Sequence, residues 1–398
     1  MQKKSFHSSP WFILIIVLLA SLAAPLNQFK VPPVMPLLME AFRASLAQAG
    51  LLMSLFAITG LLLAIPAGFI FQKLGDLLTG MIAIFSLVIG ASWGAFSQEF
   101  GIMLASRFVE GAGMSLMSVV APAVIALWFS PENRGKAMGV WAVWVPLGST
   151  IMFLLAPSLA ARWNWPGPWW FGCFYAVVVG FLYLFFLKSS PEQTSRPRGN
   201  DPSSMMPNQG LAGVLSNRDL WLISLLFCCF NFVFVAFITW APTFLQQVRG
   251  ISMARAAFLI SLTSILAIVA CPTSGWVSDR AGTRKWVAVV PMLGMAPLFP
   301  LFFSAGETGF LALVVLVGFI GGFVPTGVFS GAVETVGDER LSGMAMAVIQ
   351  IGQNAGMLLG PLVMGWVIES GGGWQTAFWV LAPVSVLGAV GGWMIRIR

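Results

Sequence analysis

Twelve runs of about twenty apolar residues, separated by short polar breaks, decide what this chain can fold into. A helix rising about 1.5 Å per residue needs that length to cross the roughly 30 Å hydrocarbon core of a bilayer. The runs fall near 11–36, 48–71, 77–97, 101–128, 136–160 and 168–188, then near 219–245, 256–277, 286–305, 309–333, 342–368 and 375–395. Composition agrees: 9% of the 398 residues are charged and 58% are hydrophobic, whereas a soluble domain carries about 25% charged residues. The expected fold is an all-α membrane protein of twelve transmembrane helices. Lys3 and Lys4 ahead of the run from Trp11 imitate a signal peptide up to Ala23 and Ala24, but no soluble domain follows, so this run is read as the first span.

The basic residues orient the spans. With the N-terminus inside, fifteen of the 21 Lys and Arg fall in inner loops and tails and four in outer loops (Arg43, Arg162, Arg249 and Arg255). The other two, Lys30 and Arg107, lie within spans. This positive-inside bias puts both termini in the cytoplasm, as expected for the inner membrane of a bacterium. It also accounts for the net charge of +7 without nucleic acid.

Several chemistries are excluded. The lone histidine, His7, lies in the N-terminal tail, which leaves no histidine-based triad or multi-histidine metal site. The four cysteines, Cys173, Cys228, Cys229 and Cys271, sit in apolar runs without zinc-site spacing and read as small hydrophobes. There is no G-x-x-x-x-G-K-[ST] loop for ATP. Neither an enzyme nor a cofactor-bearing protein is expected.

Residues 189–217 form the one long polar segment, rich in Ser, Pro, Gly and Asn, and read as a cytoplasmic linker. It separates six spans in 1–188 from six in 218–398. The halves repeat: Gly68 and Gly75 recur 207 residues later as Gly275 and Gly282. Ala137, Met138 and Gly148 recur 208 residues later as Ala345, Met346 and Gly356. Duplicated bundles about a central pathway are a transporter architecture, with substrate bound near the midplane. Interrupted helices in matching places, at Pro146, Gly148 and Pro157 and at Gly352, Gly356, Gly360 and Pro361, mark either moving segments or close small-residue packing.

The loop after the eighth run reads Gly275-Trp-Val-Ser-Asp279-Arg280-Ala-Gly282-Thr-Arg284-Lys285. Gly275 suits a close helix approach, Gly282 a tight turn, and Asp279 can pair with basic groups. The loop fits G-x-x-x-D-R-x-G-x-[RK]-[RK] and resembles the signature of the major facilitator superfamily. Arg107-Phe-Val-Glu110-Gly111-Ala-Gly113 and Pro131-Glu-Asn-Arg134-Gly135 are similar to two further patterns of that superfamily. The first-half copy of the signature departs from it, with Gln72 and Lys73 for the usual Asp and Arg and with Asp76 where a basic residue is expected. Leu26-Asn27-x-x-Lys30 and the Trp128 to Gly139 run look most like the cyanate-permease and nitrate/nitrite-porter branches. The resemblance implies two pseudo-symmetric six-helix bundles, a monomer cycling by alternating access, and a conformational latch at Gly275, Asp279, Arg280, Gly282 and Arg284.

Charges inside spans are costly, about 2.5–3.5 kcal/mol at the bilayer centre on insertion scales, so each is a candidate functional group. Arg107 and Glu110 share a face of the fourth span, either as a scaffold ion pair or with Glu110 as the proton-coupling carboxylate. Lys30, ahead of Pro32, Pro33 and Pro36, either snorkels to the outer headgroups or, with Asn27 and Gln28, faces an anionic substrate. Asn231, Gln350, Gln353 and Asn354 either bond to neighbouring helices or line the substrate path. Trp144 with Trp141 is either core or cavity lining, while Trp163, Trp165, Trp169, Trp170 and Trp374 read as interface anchors. The in-span balance of two cations to one carboxylate favours a small organic or inorganic anion, moved with protons or by exchange. A proton-driven exporter of amphipathic drug-like compounds is the rival, on the strength of 17 Trp, 33 Phe and 20 Met.

Overall fold

The computed structural model describes residues 9–63, 66–187, 213–336 and 342–396. Residues 189–212 of the expected linker lie outside them. All long elements among the described residues are helices, and eleven continuous stretches are long and apolar enough to cross a membrane. The last of these, Gly343–Trp393, is 51 residues long and spans two crossings. It breaks at Gly371 and Gly373, whose φ of 94° and 65° no helix accommodates.

Packing divides the chain into two compact units, Met1–Lys30 with Leu62–Asn200, and Val31–Leu61 with Asp201–Arg398. In the first unit, α1 (Pro10–Gln28) packs against α5 (Phe100–Trp128), α7 (Trp144–Trp163) and α8 (Gly167–Phe186), and α4 (Pro66–Ala95) lies against α5 and α8. The α4 run is not one rod. Gly75 takes φ 79° and turns the chain between the expected second and third spans. Asp76 follows directly and is buried, with Oδ1 accepting from the Leu77 amide at 2.8 Å.

The second unit contains α2 (Val31–Phe42), α3 (Leu46–Leu63), α9 (Arg218–Gln247), α10 (Met253–Ala281), α11 (Lys285–Met295), α12 (Leu298–Ser304), α13 (Glu307–Gly321), α14 (Phe323–Val336), α15 (Ser342–Val367) and α16 (Gly373–Trp393). Small residues set its closest approaches. Gly352, Gly356 and Gly360 of α15 lie against the carbonyls of Ser224, Cys228 and Phe232 on α9, four residues apart on each helix. On another side of α15, a Cβ at Gly50 would lie 2.7 Å from the Pro361 carbonyl oxygen, and one at Gly365 2.6 Å from that of Leu46. Ser54 Oγ donates to the Leu358 carbonyl at 2.6 Å, and the Ala47 amide donates to Glu369 at 2.9 Å. This glycine seam is why residues 31–61, which chain order puts with the first six spans, pack in the second unit.

The repeat is visible in the helix starts. Leu46 and Met253 open α3 and α10, and Phe100 and Glu307 open α5 and α13, 207 residues apart in both cases. Gly75 and Gly282, at the same offset, both have positive φ, 79° and 62°. Gly148 packs on Pro25 of α1, and Gly356 packs beside Asn231 and Phe232 of α9.

Candidate functional site

The first span breaks where its prolines fall. Proline has no N–H, so Pro32 leaves the Gln28 carbonyl, four residues back, without a helical donor. Arg107 supplies one: its Nη2 donates to the Gln28 carbonyl at 3.1 Å and its Nη1 to that of Asn27 at 2.7 Å. Between α1 and α2 the chain turns at Phe29 and Lys30. That turn points Lys30 into the first unit.

Lys30 does not snorkel. It is wholly buried, and its Nζ donates to Glu110 Oε1 at 2.5 Å and to Asn27 Oδ1 at 2.8 Å. Arg107 Nη1 pairs with the other oxygen of Glu110. One carboxylate thus bridges two cations, all three without exposure to solvent. The Trp169 ring lies 4.6 Å from Lys30 Nζ and adds a cation–π contact. Trp169 is therefore not an interface anchor, because it is fully buried over the lysine. Asn27 is held by its own amide, which donates to the Ala23 carbonyl at 2.9 Å and more weakly to that of Gly172 at 3.5 Å.

Glycines from neighbouring helices make room for this cluster. A Cβ on Gly90 would fall 2.5 Å from Glu110 Cγ, and one on Gly94 2.5 Å from Trp169 Nε1. On α8, Gly172 backs the Asn27 amide. Sequence reasoning passed over these residues. Their signal was present, as glycines at four-residue spacing in a helix beside the charged one. Gln28, whose backbone carbonyl meets Arg107, has a buried side chain, and neither Nε2 nor Oε1 has a partner among the described residues.

The other predicted site residues lie elsewhere. Trp144 stacks on Trp141 at 5.3 Å, and Trp141 Nε1 donates to Ser21 Oγ at 3.0 Å, so this pair belongs to the core of the first unit. Asn231, Gln350, Gln353 and Asn354 belong to the second unit. Among the described residues, the amide nitrogens of Asn231 and Asn354 do not bond to neighbouring helices. Each donates to the carbonyl four residues back on its own helix, Phe227 at 2.8 Å and Gln350 at 2.9 Å, because that partner is local and always in reach. Gln353 Oε1 is buried without a partner among the described residues.

At the loop after α10, Gly282 has φ 62° and ends the helix in the left-handed conformation. Arg284 donates to Asp279 at 2.6 Å, Glu334 at 2.8 Å and Ser278 Oγ at 2.8 Å, and the two carboxylates hold its guanidinium more firmly protonated, Glu334 most. Arg280 lies 5.3 Å over the Trp276 ring. Among the described residues, Gly275 serves no close helix approach: a Cβ there would meet none of them within 4 Å.

The model of the Major Facilitator Superfamily matches residues 17–342 and 275–398. The hexuronate transporter of Bacillus subtilis is 22% identical over 396 residues, covering 95% of this chain and 92% of its own. The probable sulfoacetate transporter of Cupriavidus necator is 23% identical over 400 residues, with the same two coverages. These relatives are named for organic acids rather than for cyanate or nitrate. The crystal structure of a bacterial homolog to the human lysosomal transporter Spinster, in an inward-facing and occupied conformation, shares the fold at a TM-score of 0.81 and 17% identity over 96% of each chain. Family and relatives are transporters rather than enzymes, and the chain belongs to the Major Facilitator Superfamily.

Proposed function

We propose that this protein is a secondary transporter that carries a small organic anion across a bacterial inner membrane by alternating access, as a monomer of two six-span bundles. The buried cluster of Lys30, Arg107 and Glu110 carries this reading, because it leaves one positive charge uncompensated where an acid group can bind. A scaffold does not need that cluster. At the repeat offset of 207, Lys30, Arg107 and Glu110 correspond to Phe237, Val314 and Val317, all buried. There Phe237 packs on Phe299, Phe302 and Phe378 at 5.5, 4.9 and 6.4 Å. Replacing a buried ion pair with packed apolar side chains is commonly neutral or stabilising, so charges kept in one unit and absent from its sister are retained for work.

The chemistry follows from competition. An incoming carboxylate or sulfonate and Glu110 seek the same cations. A proton on Glu110 releases Lys30 for the substrate, which couples anion binding to proton uptake; an exchanger instead swaps one anion for another. The names of the relatives favour an organic acid over cyanate or nitrate. Arg284 with Asp279 and Glu334 is the element whose breaking and remaking accompanies the change of state.

Ligand binding to the native state raises its melting temperature by mass action. The test is the melting temperature of the detergent-purified protein with hexuronates, sulfoacetate, nitrate, cyanate and lipophilic cations, at acidic and neutral pH. Stabilisation by an organic acid, lost in Lys30→Ala, supports the proposal. Stabilisation by lipophilic cations alone, indifferent to Lys30, replaces it with the amphipathic exporter.

A further inference from the structure

A buried amide with no partner is expensive to keep. Each unmade hydrogen bond inside protein costs its full desolvation, and native folds retain few such groups. Among the described residues, the Gln28 side chain leaves both its donor and its acceptor unmet at 1% exposure. It does so one residue from Asn27, which holds Lys30, while its own carbonyl accepts from Arg107 at 3.1 Å. The fold does not demand an amide at this position, since its repeat counterpart is Val235, buried at 5%.

We infer that Gln28 is the specificity-determining residue of the anion site. It reads a neutral hydroxyl on the carbon chain of the substrate, while Lys30 and Arg107 take the acid group. This inference rests on the anion-transport reading above. The chemistry is matched: a hydroxyl donates one hydrogen bond and accepts others, and an amide offers both an acceptor oxygen and donor hydrogens. A small inorganic anion, or an acid without a hydroxyl, satisfies the cations and leaves Gln28 unpaired. The substrate class is therefore hydroxylated organic acids. Sites built to bond a hydroxyl discriminate strongly against ligands that lack it.

The test compares pairs of acids that differ by one hydroxyl, acetate with glycolate and propionate with lactate. Affinity is read from thermal stabilisation of the full-length protein in detergent. Wild type is expected to prefer the hydroxy acids by about tenfold for each hydrogen bond gained. Gln28→Val, which copies the sister unit, is expected to abolish that preference and to raise the melting temperature of the ligand-free protein. Gln28→Met, similar in length but without a donor or acceptor, is expected to behave alike. A preference that survives both substitutions overturns the role of Gln28 and leaves anion transport standing. So does a fall in ligand-free melting temperature in both variants, which makes the amide structural. Wild type indifferent to all organic and inorganic anions removes the anion site itself, and the inference with it.

Discussion

Glu110 is the shared counter-ion of two buried cations, and the cost of removing it can be worked out from that arrangement. Glu110→Gln keeps the shape of the side chain but strips the carboxylate charge that pairs with both Lys30 and Arg107, which are both at 0% exposure. Breaking a buried pair so as to strand a charge costs about 3–5 kcal/mol. Lys30→Met strands no charge, because Arg107 still pairs with Glu110, although both hydrogen bonds of Lys30 Nζ, to Glu110 and to Asn27, are lost. For a body of about 150–250 residues, the size range of the first unit, each kcal/mol is worth roughly 2–4 °C of melting temperature. Glu110→Gln should therefore melt about 6–20 °C below wild type and clearly below Lys30→Met. The double substitution should recover part of the loss, since only one cation then lacks its carboxylate. The assay is the apparent melting temperature of each variant in one detergent without ligand. If Lys30→Met proves the more damaging, or if Glu110→Gln melts with wild type, Glu110 is not the bridge and the competition mechanism fails with it.

Other expectations are more local. Gly90→Ala puts a methyl 2.5 Å from Glu110 Cγ, and should abolish anion-dependent stabilisation while Gly68→Ala, with nothing within 4 Å, leaves it intact; equal effects would show that Gly90 does not shape the cluster. Glu369, exposed in the turn between the last two helices, has its carboxyl held below the ordinary carboxylate range first by the Ala47 amide and then by Ser45. A depressed folded pKa stabilises above the unfolded value and is lost as pH falls through the folded one. Hydrogen-exchange protection of the Ala47 amide, corrected for intrinsic rates, should accordingly persist at neutral pH, fall on strong acidification, and be low at every pH in Glu369→Ala. Arg284→Ala removes ion pairs whose acidic partners are largely exposed, so stability should change by less than about 1 kcal/mol while transport slows; a large drop in melting temperature would make Arg284 a structural residue instead of a latch.

Much of the architecture could be read directly from hydropathy. The spans, the turn at Gly282 and the 207-residue repeat are local properties: runs of apolar residues, a glycine where φ is positive, and landmarks at a constant offset. Arg107 and Glu110 were also legible as neighbours, since i, i+3 spacing on a helix brings side chains together regardless of what surrounds it. Trp169 was not. A tryptophan near a helix end looks the same in sequence whether it lies at the headgroups or over a lysine.

What the sequence determined by itself was therefore a twelve-span membrane protein with a duplicated plan and three charges in its spans. Only the tertiary structure decided what those charges do to one another. Lys30 meets a carboxylate 80 positions along the chain because Pro32 frees a carbonyl that Arg107 then takes, and because Gly90 and Gly94 let a third helix close in. The same holds for residues 31–61, which join the second unit through a seam of glycines facing carbonyls. Hydrophobicity fixes which segments enter the membrane, since each residue contributes to that choice on its own. Which buried groups become partners depends on close packing between segments distant in the chain, and no local pattern specifies it.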